Sequence, residues 1–268
     1  MTVSSVTTPV LDSYLISQHI ANADRESDSQ MRDYWTRGFI KLQGLFKPEE
    51  IAAWSDECWR LLKSEYVFPA NIRTPFRMNS GSQPERIDPV VDISPVFDEL
   101  VKDPRIVNVV ASIFRDRALL FKDKLIFKAP GTDGYTMHQD QAYWQLCPAD
   151  DILSVSIQID GANAANGCIE LFPGYHGKLM TPPKLRSQLR QEDVDKIDLS
   201  LGEKIETQPG DVLIFHSLTP HRSDRNIDKV SRRSVYLTYS AARNGDFYPV
   251  QRKNYIAYNR SVELTEFK

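Results

Sequence analysis

The stretch KLIFKAPGTDGYTMHQDQAYW, residues 124–144, joins an apolar segment rich in β-branched and aromatic residues to the tripeptide His138-Gln139-Asp140. Residues two positions apart on a β-strand point to the same face of the sheet. Because residues 142–144 also look extended, we expect His138 and Asp140 to present an imidazole nitrogen and a carboxylate oxygen to one cavity. Gln139 is then expected to face away. The tripeptide is therefore a candidate for two of the ligands of a metal site.

A third ligand is expected from His221, which follows the apolar segment 211–216. Two histidines and one carboxylate on one face of an octahedral iron leave the opposite positions open. Fe(II) oxygenases use this arrangement because O2 and a co-substrate must both reach the metal. The tripeptide alone is equally compatible with a surface aspartate beside a structural histidine. The residues after His221 distinguish the two interpretations.

The strand predicted after His221 has a polar face, made of Arg232, Ser234, Tyr236, Thr238 and Ser240. A polar row inside a small barrel is costly unless it lines a wet, charged cavity. A guanidinium in that cavity could bind the end of a dicarboxylate through two parallel hydrogen bonds. Arg232 is thus a candidate for binding a keto-diacid, whereas Arg233 on the other face is expected to form a surface salt bridge.

Short segments bounded by Gly, Pro, Asn or Asp dominate the second half of the chain and are rich in β-branched and aromatic residues. They predict strands at Leu119–Phe127, Asp151–Asp160, Gly167–Phe172, Gly202–Gln208, Asp211–His216 and Arg233–Ser240. Many short strands separated by turns indicate a sandwich or barrel. The predicted fold class is mostly β with flanking helices, in a jelly roll of the double-stranded β-helix, cupin-like type.

Helices are predicted in the first half of the chain. Residues 47–50 can begin one, because proline suits the first turn and early acids suit the helix dipole. Residues 94–114 contain two more, separated at Asp103-Pro104. No internal repeat or low-complexity linker interrupts the 268 residues, so we expect a single oxygenase domain over 1–268, with residues 1–25 as a loose N-terminal arm.

The composition is that of an ordinary globular protein, with a net charge of −3. This charge gives no bulk attraction to nucleic acid or to an anionic membrane surface. The three cysteines form no C-x-x-C pair, and the N-terminus lacks the pattern of a secretory signal. We therefore expect a cytoplasmic protein with neither a nucleic acid nor a membrane as its partner. The oligomeric state is not predicted.

Several short motifs occur together and in order along residues 30–245. They are Gly38-Phe39, Leu45-Phe46, residues 124–140, Tyr143, Pro148, Asn166-Gly167-Cys168, Pro173-Gly174-Tyr175-His176, Pro209-Gly210-Asp211, Phe215-His216, His221-Arg222-Ser223 and Arg232. In this order and spacing the chain resembles the phytanoyl-CoA dioxygenase family. The resemblance implies a double-stranded β-helix that binds iron through His138, Asp140 and His221. It also implies 2-oxoglutarate on Arg232, with Ser223 helping to hold its carboxylate.

Two positions refine what the resemblance implies. Related halogenases replace the carboxylate at Asp140 with a small residue, so its presence favours hydroxylation or desaturation, with release of succinate and CO2. Ser156 stands where the family's namesake has a tryptophan in the co-substrate pocket, which weakens any expectation of an acyl-CoA substrate. The expected cofactors are Fe(II), 2-oxoglutarate and O2, with ascorbate as reductant in assays.

Other residues near the tripeptide are candidates for weaker roles. Tyr135 is predicted to contact the co-substrate, and Tyr143, Trp144 and Lys128 to contact a small-molecule substrate, although aromatic residues near strands are more often core. Lys122 and Lys124 share a strand face and could bind a carboxylate or phosphate, although the default for a lysine is a solvated face. His216 could support a ligand or simply pack, and His176 is interpreted as structural.

Two other functions use the same residues. One is a cupin-like module that holds a metal without catalysis, and the other is a zinc hydrolase. The first predicts no decarboxylation of 2-oxoglutarate, and the second predicts activity without O2. The substrate itself is not specified, because the loops expected to shape the pocket, residues 68–92 and 178–200, contain no interpretable motif.

Overall fold

The structure is a computed structural model that describes residues 25–63, 85–144, 146–182, 188–254 and 257. The expected N-terminal arm lies outside these ranges except for Arg25. Residues 68–84 and 183–187, which belong to the loops expected to shape the pocket, also lie outside the described residues.

Four helices lie in the first half of the described chain, and the three after Leu42 lie where the sequence predicted them. Helix α1 spans Arg25–Arg37, and helix α2 spans Pro48–Lys63, with acids in its first turn and a buried apolar face. Two further helices follow, α3 over Pro95–Leu100 and α4 over Pro104–Phe114. They are separated at Asp103, whose side chain caps α4 by accepting a hydrogen bond from the amide of Arg105. The predicted break at Asp103-Pro104 is thus confirmed.

Two antiparallel sheets make up the β portion of the described chain. The strands of the larger are β1 Phe39–Leu42, β2 Arg86–Ile87, β3 Ala118–Lys128, β4 Ile152–Gln158, β7 Val212–His216 and β9 Arg232–Ala241. Their order across the sheet is β1-β7-β4-β9-β3-β2. The smaller sheet consists of β5 Ile169–Leu171, β6 Glu203–Lys204 and β8 His221–Ser223, in the order β6-β5-β8. Neighbours in the larger sheet are distant in sequence, and this confirms the predicted jelly roll with flanking helices.

The two faces of the larger sheet differ in polarity. On one face, which we call the outer face, Val155 of β4 and Leu237 of β9 are fully buried and pack against the helices in one large apolar cluster. On the other, the inner face, Ser154 lies opposite Thr238 and Ser156 opposite Tyr236. The polar row predicted on the last strand therefore lines the inside of the roll. Such a row requires hydrogen-bonding partners or a ligand.

Two strand predictions need correction. The expected strand Gly202–Gln208 reduces to β6, with Thr207 in an isolated bridge to Ala162. Strand β8 was not predicted at all, because three residues are too few to show the alternation that marks a strand. It pairs with β5, placing His221 opposite Leu171.

Two glycines let loops approach β8 closely. A Cβ on Gly134 would lie 1.8 Å from the backbone oxygen of Ser223. Gly167 has a φ of +72°, and a Cβ there would lie 2.3 Å from the backbone oxygen of Asp224. Only glycine tolerates both the conformation and the contact at Gly167. The loop before His138 is thus held against the strand that carries His221.

Two further findings concern the chain as a whole. Cys58, Cys147 and Cys168 are all buried and unpaired. Within the described ranges, no helix has both the length and the apolar composition needed to cross a bilayer.

Candidate metal centre and co-substrate pocket

The three side chains expected to bind a metal meet at one point inside the roll. His138, Asp140 and His221 each offer one ligand atom, and these atoms lie within 4.8 Å of one another. Nε2 of His138 is 3.8 Å from Oδ1 of Asp140, and Nε2 of His221 is 3.9 Å from the same oxygen. Two imidazole nitrogens and one carboxylate oxygen therefore face a common centre. This donor set suits a non-haem Fe(II) site with open positions.

The local backbone differs from the regular strand that the sequence suggested. His138 forms an isolated antiparallel bridge with His221, in which each amide donates to the other's carbonyl over 3.0 Å. Asp140 then begins a 3-10 helix, Asp140–Tyr143, so the expected extended conformation of residues 142–144 is wrong. The amide of Gln141 donates to the carbonyl of Ser217 over 2.9 Å, which stabilises this turn. The long-range bridge, rather than strand alternation alone, brings the ligand atoms together.

Both histidines are oriented by the same device. Nδ1 of His138 lies 2.8 Å from the carbonyl oxygen of Thr136, and Nδ1 of His221 lies 2.9 Å from that of Thr219. A carbonyl only accepts, so each Nδ1 carries the proton and each Nε2 presents its lone pair to the centre. Burial lowers the pKa of both imidazoles, that of His138 to about 3, so both are neutral near pH 7. Neutral imidazole is the form that binds a metal.

Asp140 is held as an ionised carboxylate. Its Oδ2 accepts a hydrogen bond of 2.7 Å from the hydroxyl of Ser154, which leaves Oδ1 directed at the histidines. Burial tends to raise the pKa of Asp140, but its interactions with His221, His138 and Lys124, together with the Ser154 hydrogen bond, lower it overall. A carboxylate anion is the form needed for metal ligation. The sequence did not predict this role of Ser154, because it shows only that Ser154 and Ser156 lie on the same face of one predicted strand.

The Ser154→Ala variant is expected to bind Fe(II) roughly 10- to 100-fold more weakly, since groups that orient a metal ligand typically contribute that much. Anaerobic Fe(II) titration measures the dissociation constant. Ser156→Ala is the matched control, because Ser156 lies one step along the same face and its hydroxyl accepts a hydrogen bond from Gln158 instead. Equal Fe(II) affinity in the Ser154 variant and the wild type would contradict this role.

Arg232 lies at the start of β9 on the inner face and is 4% exposed. Its Nε has no hydrogen-bond partner, and the hydroxyl of Ser234 is 3.5 Å from its Nη1. No carboxylate of the described residues forms an ion pair with it. A buried guanidinium without an anion is costly, so the pocket fits an acidic ligand that completes the pair. Arg233, in contrast, forms a double hydrogen bond to Asp160 at 2.8 and 2.6 Å.

Lys128 and Ser223 surround the same end of the pocket. Lys128 lies opposite Arg232 in the strand register. Its ammonium donates to the Ser223 hydroxyl over 3.0 Å and to the carbonyls of Gly167 and Asp224. Burial and the nearby Arg232 lower the pKa of Lys128 to about 8. Lys128 thus adds positive potential near Arg232 and orients Ser223, and the substrate contact expected from the sequence stays a prediction.

The aromatic candidates separate into different environments. The hydroxyl of Tyr135 donates to Glu85, and its amide donates to the Ser223 hydroxyl over 3.2 Å. Tyr143 is 50% exposed and its ring lies 5.9 Å from that of His138, at the mouth of the site. Trp144 packs in a core cluster with Phe121, Cys147 and Ile152. Trp144 is therefore not included in the substrate site proposed below.

The remaining residues beside the tripeptide and the other histidines pack or support loops. As expected, the side chain of Gln139 faces away from the ligand atoms, donating to the carbonyl of Leu218 and accepting from the amide of Met180. His216 accepts from the amide of Leu218 through Nδ1 and contacts Asp150 through Nε2. His176 contacts the carbonyl of Trp35, which supports its structural interpretation. His216 is likewise occupied by packing and is not among the residues that meet at the metal centre.

Comparison with known proteins agrees with this geometry. The jelly roll, the two-histidine, one-aspartate centre and the basic pocket define the class of Fe(II)- and 2-oxoglutarate-dependent oxygenases, which use O2. The family model for phytanoyl-CoA dioxygenase (PhyH) matches residues 34–234. The chain therefore belongs to the phytanoyl-CoA dioxygenase family.

Individual proteins of known function or structure are similar to this chain over most of its length. The chain is 30% identical over 247 residues to a methylphosphonate hydroxylase of Gimesia maris, covering 87% of this chain and 86% of that protein. It is 24% identical over 253 residues to a 2-aminoethylphosphonate dioxygenase of an uncultured bacterium, covering 91% and 93%. The crystal structure of EctD from S. alaskensis with 2-oxoglutarate and 5-hydroxyectoine superposes with a TM-score of 0.72 at 21% identity, covering 81% of this chain and 76% of that one. This superposition confirms the fold.

Proposed function

We propose that His138, Asp140 and His221 bind the Fe(II) of this oxygenase. The observation that carries the proposal is the matched pair of Nδ1–carbonyl hydrogen bonds, which directs both Nε2 atoms at the free oxygen of Asp140. The burial of His221 and Asp140 adds support, because a dry site strengthens ligation by a charged carboxylate. The Ser154 hydroxyl fixes the carboxylate rotamer.

The distal carboxylate of 2-oxoglutarate is assigned to Arg232. The buried guanidinium, whose Nε has no hydrogen-bond partner, supports this assignment, because a bidentate pair with a carboxylate would satisfy that Nε. The Ser223 hydroxyl, held by Lys128, supplies a further hydrogen-bonding group at that end. The contact of Tyr135 with the co-substrate stays a prediction. Its amide donates to the Ser223 hydroxyl at the same end of the pocket, which supports that prediction.

Bound Fe(II) and 2-oxoglutarate supply an O2-dependent oxidation that yields succinate and CO2 and places oxygen in the substrate or desaturates it. The protein provides the geometry for this reaction. The two histidines and Asp140 would hold the iron through three ligand atoms and leave positions for the co-substrate and O2. The inner-face residues hold the co-substrate in one orientation, and the surrounding apolar clusters exclude bulk water.

A small-molecule metabolite is the proposed primary substrate. The relatives named above for methylphosphonate and 2-aminoethylphosphonate support a small phosphonate as the first class of compound to test. Ser156 argues against the acyl-CoA substrate of the family's namesake, because a small hydroxyl stands where that protein has a tryptophan lining the co-substrate pocket. Tyr143, exposed at the mouth of the site, is the proposed aromatic contact for the substrate.

We propose that the chain folds as one oxygenase domain, since helices α2, α3 and α4 pack in the same cluster as the outer face of the larger sheet. A cytoplasmic location is supported by the three unpaired cysteines, which suit a reducing compartment. The net charge of −3 gives no support for a nucleic-acid or membrane partner.

The test is anaerobic reconstitution with Fe(II) and 2-oxoglutarate, followed by a screen of small phosphonates and other metabolites for succinate release on admitting O2. Ascorbate keeps the iron reduced. Release that requires Fe(II), 2-oxoglutarate and O2 is the expected result. Succinate release that never exceeds the no-enzyme background would support the metal-binding module instead. Substrate cleavage in the absence of O2 would support the zinc hydrolase.

A further inference from the structure

Strand β3 places three lysines on the inner face of the roll, and their partners differ. Lys122 donates to Asp88 over 2.9 Å, and Lys128 donates to Ser223 and to two backbone carbonyls. Lys124, between them, has no hydrogen-bond acceptor and no ion-pair partner among the residues that the structure describes. Its ammonium instead lies 5.1 Å from the centroid of the Tyr236 ring. Two of the three lysines are thus satisfied by the protein itself, and one is not.

The ammonium of Lys124 lies on the same face of the sheet as the metal centre, because Lys124 lies opposite Tyr236, and Tyr236 lies opposite Ser156, two residues from the Ser154 that donates to Asp140. It is near enough to act electrostatically on Asp140, His138 and His221. The only one of these with a negative charge is Asp140, whose charge would be neutralised by a bound cation. The other acids near Lys124 are engaged elsewhere, because Glu85 accepts from Tyr135 and Asp88 accepts from Lys122. With these acids engaged, the partly buried ammonium of Lys124 is available to an anion from outside the described chain.

The position of Lys124 differs from that assigned to the co-substrate carboxylate. Arg232 lies opposite Lys128, whereas Lys124 lies opposite Tyr236, four residues away along β3. At roughly 3.3 Å per residue the two positions are about 13 Å apart along the strand. Lys124 also lies on the β2 side of Tyr236, because β3 stands between β9 and β2 in the sheet.

We propose that Lys124 binds an oxyanion of the primary substrate, a phosphonate or a carboxylate, and so holds the substrate beside the metal centre. This inference rests on the proposed function of the site. A flexible ammonium suits this task, because it can donate to any face of a tetrahedral or planar oxyanion. In the absence of an anion, the ammonium of Lys124 is stabilised by its cation–π contact with the Tyr236 ring.

The test uses the holoenzyme with Fe(II) and 2-oxoglutarate. Binding is measured anaerobically by calorimetry for four probes: methylphosphonate, 2-aminoethylphosphonate, β-alanine as the carboxylate analogue of the latter, and ethanolamine as its analogue without an oxyanion. The variants are Lys124→Met, Lys124→Arg and Lys102→Met. Lys102 is the control, since it pairs with Asp98 away from the sheet. Uncoupled succinate release without any probe gives the KM for 2-oxoglutarate.

We expect wild-type enzyme to bind at least one oxyanion probe and to bind ethanolamine more than about 10-fold more weakly, the loss typical of a charge-assisted contact. Lys124→Met is expected to weaken oxyanion binding about 10-fold or more, with substantial rescue in Lys124→Arg and a KM for 2-oxoglutarate within about 2-fold of wild type. The phosphonate and carboxylate probes identify which oxyanion is preferred.

Three results would overturn the proposal. The first is a raised KM for 2-oxoglutarate in Lys124→Met with oxyanion binding unchanged, which would assign the lysine to the co-substrate. The second is equal binding of oxyanion probes by wild type and Lys124→Met. The third is no oxyanion binding by wild type. In each case, succinate release by the wild type that depends on Fe(II), 2-oxoglutarate and O2 would leave the proposed function intact, whereas absence of that release across the whole substrate screen would refute the function itself.

Discussion

The Asp140→Ala variant is expected to lose coupled turnover by more than about 1,000-fold, because it removes a ligand outright, whereas loss of a group that merely orients a ligand typically costs 10- to 100-fold. Two neutral imidazoles remain, and they provide no negative charge to hold a divalent cation. The free hydroxyl of Ser154 would also lose its acceptor inside the roll. Succinate release in the presence of an oxidisable substrate, together with anaerobic Fe(II) titration, measures both effects.

Asp150→Ala is the control for the Asp140 variant. Asp150 is an aspartate whose side chain is 76% exposed and contacts Nε2 of His216, which is not one of the metal-centre residues. That variant is expected to bind Fe(II) as the wild type does and to turn over at a comparable rate. Full substrate oxidation by the Asp140→Ala variant would show that the carboxylate is not a ligand.

The second large effect is expected from Arg232→Ala, which should raise the KM for 2-oxoglutarate steeply. Removing one partner of a buried, hydrogen-bonded charge pair costs about 2 to 5 kcal/mol. This corresponds to a change of roughly 30- to 4,000-fold in affinity. Arg232→Lys is expected to recover only part of the loss, because an ammonium cannot form the bidentate pair. Steady-state succinate release at varied 2-oxoglutarate concentration measures the KM.

Substitution of the neighbouring Arg233 is the control, because it should affect stability rather than the KM for 2-oxoglutarate. Arg233→Ala breaks a partly buried ion pair with Asp160 on the outer face, so it should lower the melting temperature and leave the KM for 2-oxoglutarate unchanged. Arg232→Ala removes a buried charge that has no partner ion, so the ligand-free protein should not be destabilised, but 2-oxoglutarate should no longer raise its melting temperature. If the two variants changed the KM equally, the assignment of Arg232 would be refuted.

Much of the fold was predictable because its signals are local. The apolar face of α2 repeats at helical spacing, and Asp103-Pro104 ends one helix and caps the next. The alternation along β9 predicts that Arg232 and Tyr236 lie on the opposite face from Val235 and Leu237, and the strand register confirms this separation. Regular periodicity of this kind depends only on backbone geometry, so it can be seen in the sequence.

Other features were not predictable because they depend on contacts between distant segments. The 3-10 turn at Asp140 is stabilised by the carbonyl of Ser217, and β8 exists only because β5 lies beside it. Trp144 resembled a pocket residue by its position in sequence, yet it packs against Phe121 of β3. Nothing in a linear pattern records which distant carbonyl or ring will be adjacent.

The sequence by itself determined the chemistry available to this protein. It contains two histidines and an aspartate at a recognisable spacing, an arginine on the polar face of a strand, and the alternation that builds a jelly roll. Tertiary structure decided how each of these groups is used. The backbone bridge between His138 and His221 sets the ligand geometry. On β3, Lys122 donates to Asp88 and Lys128 to Ser223, so Lys124 is the lysine of that strand without a hydrogen-bond or ion-pair partner among the described residues. Charge and donor type are properties of a residue, whereas orientation and the presence of a partner depend on what the folded chain brings next to it.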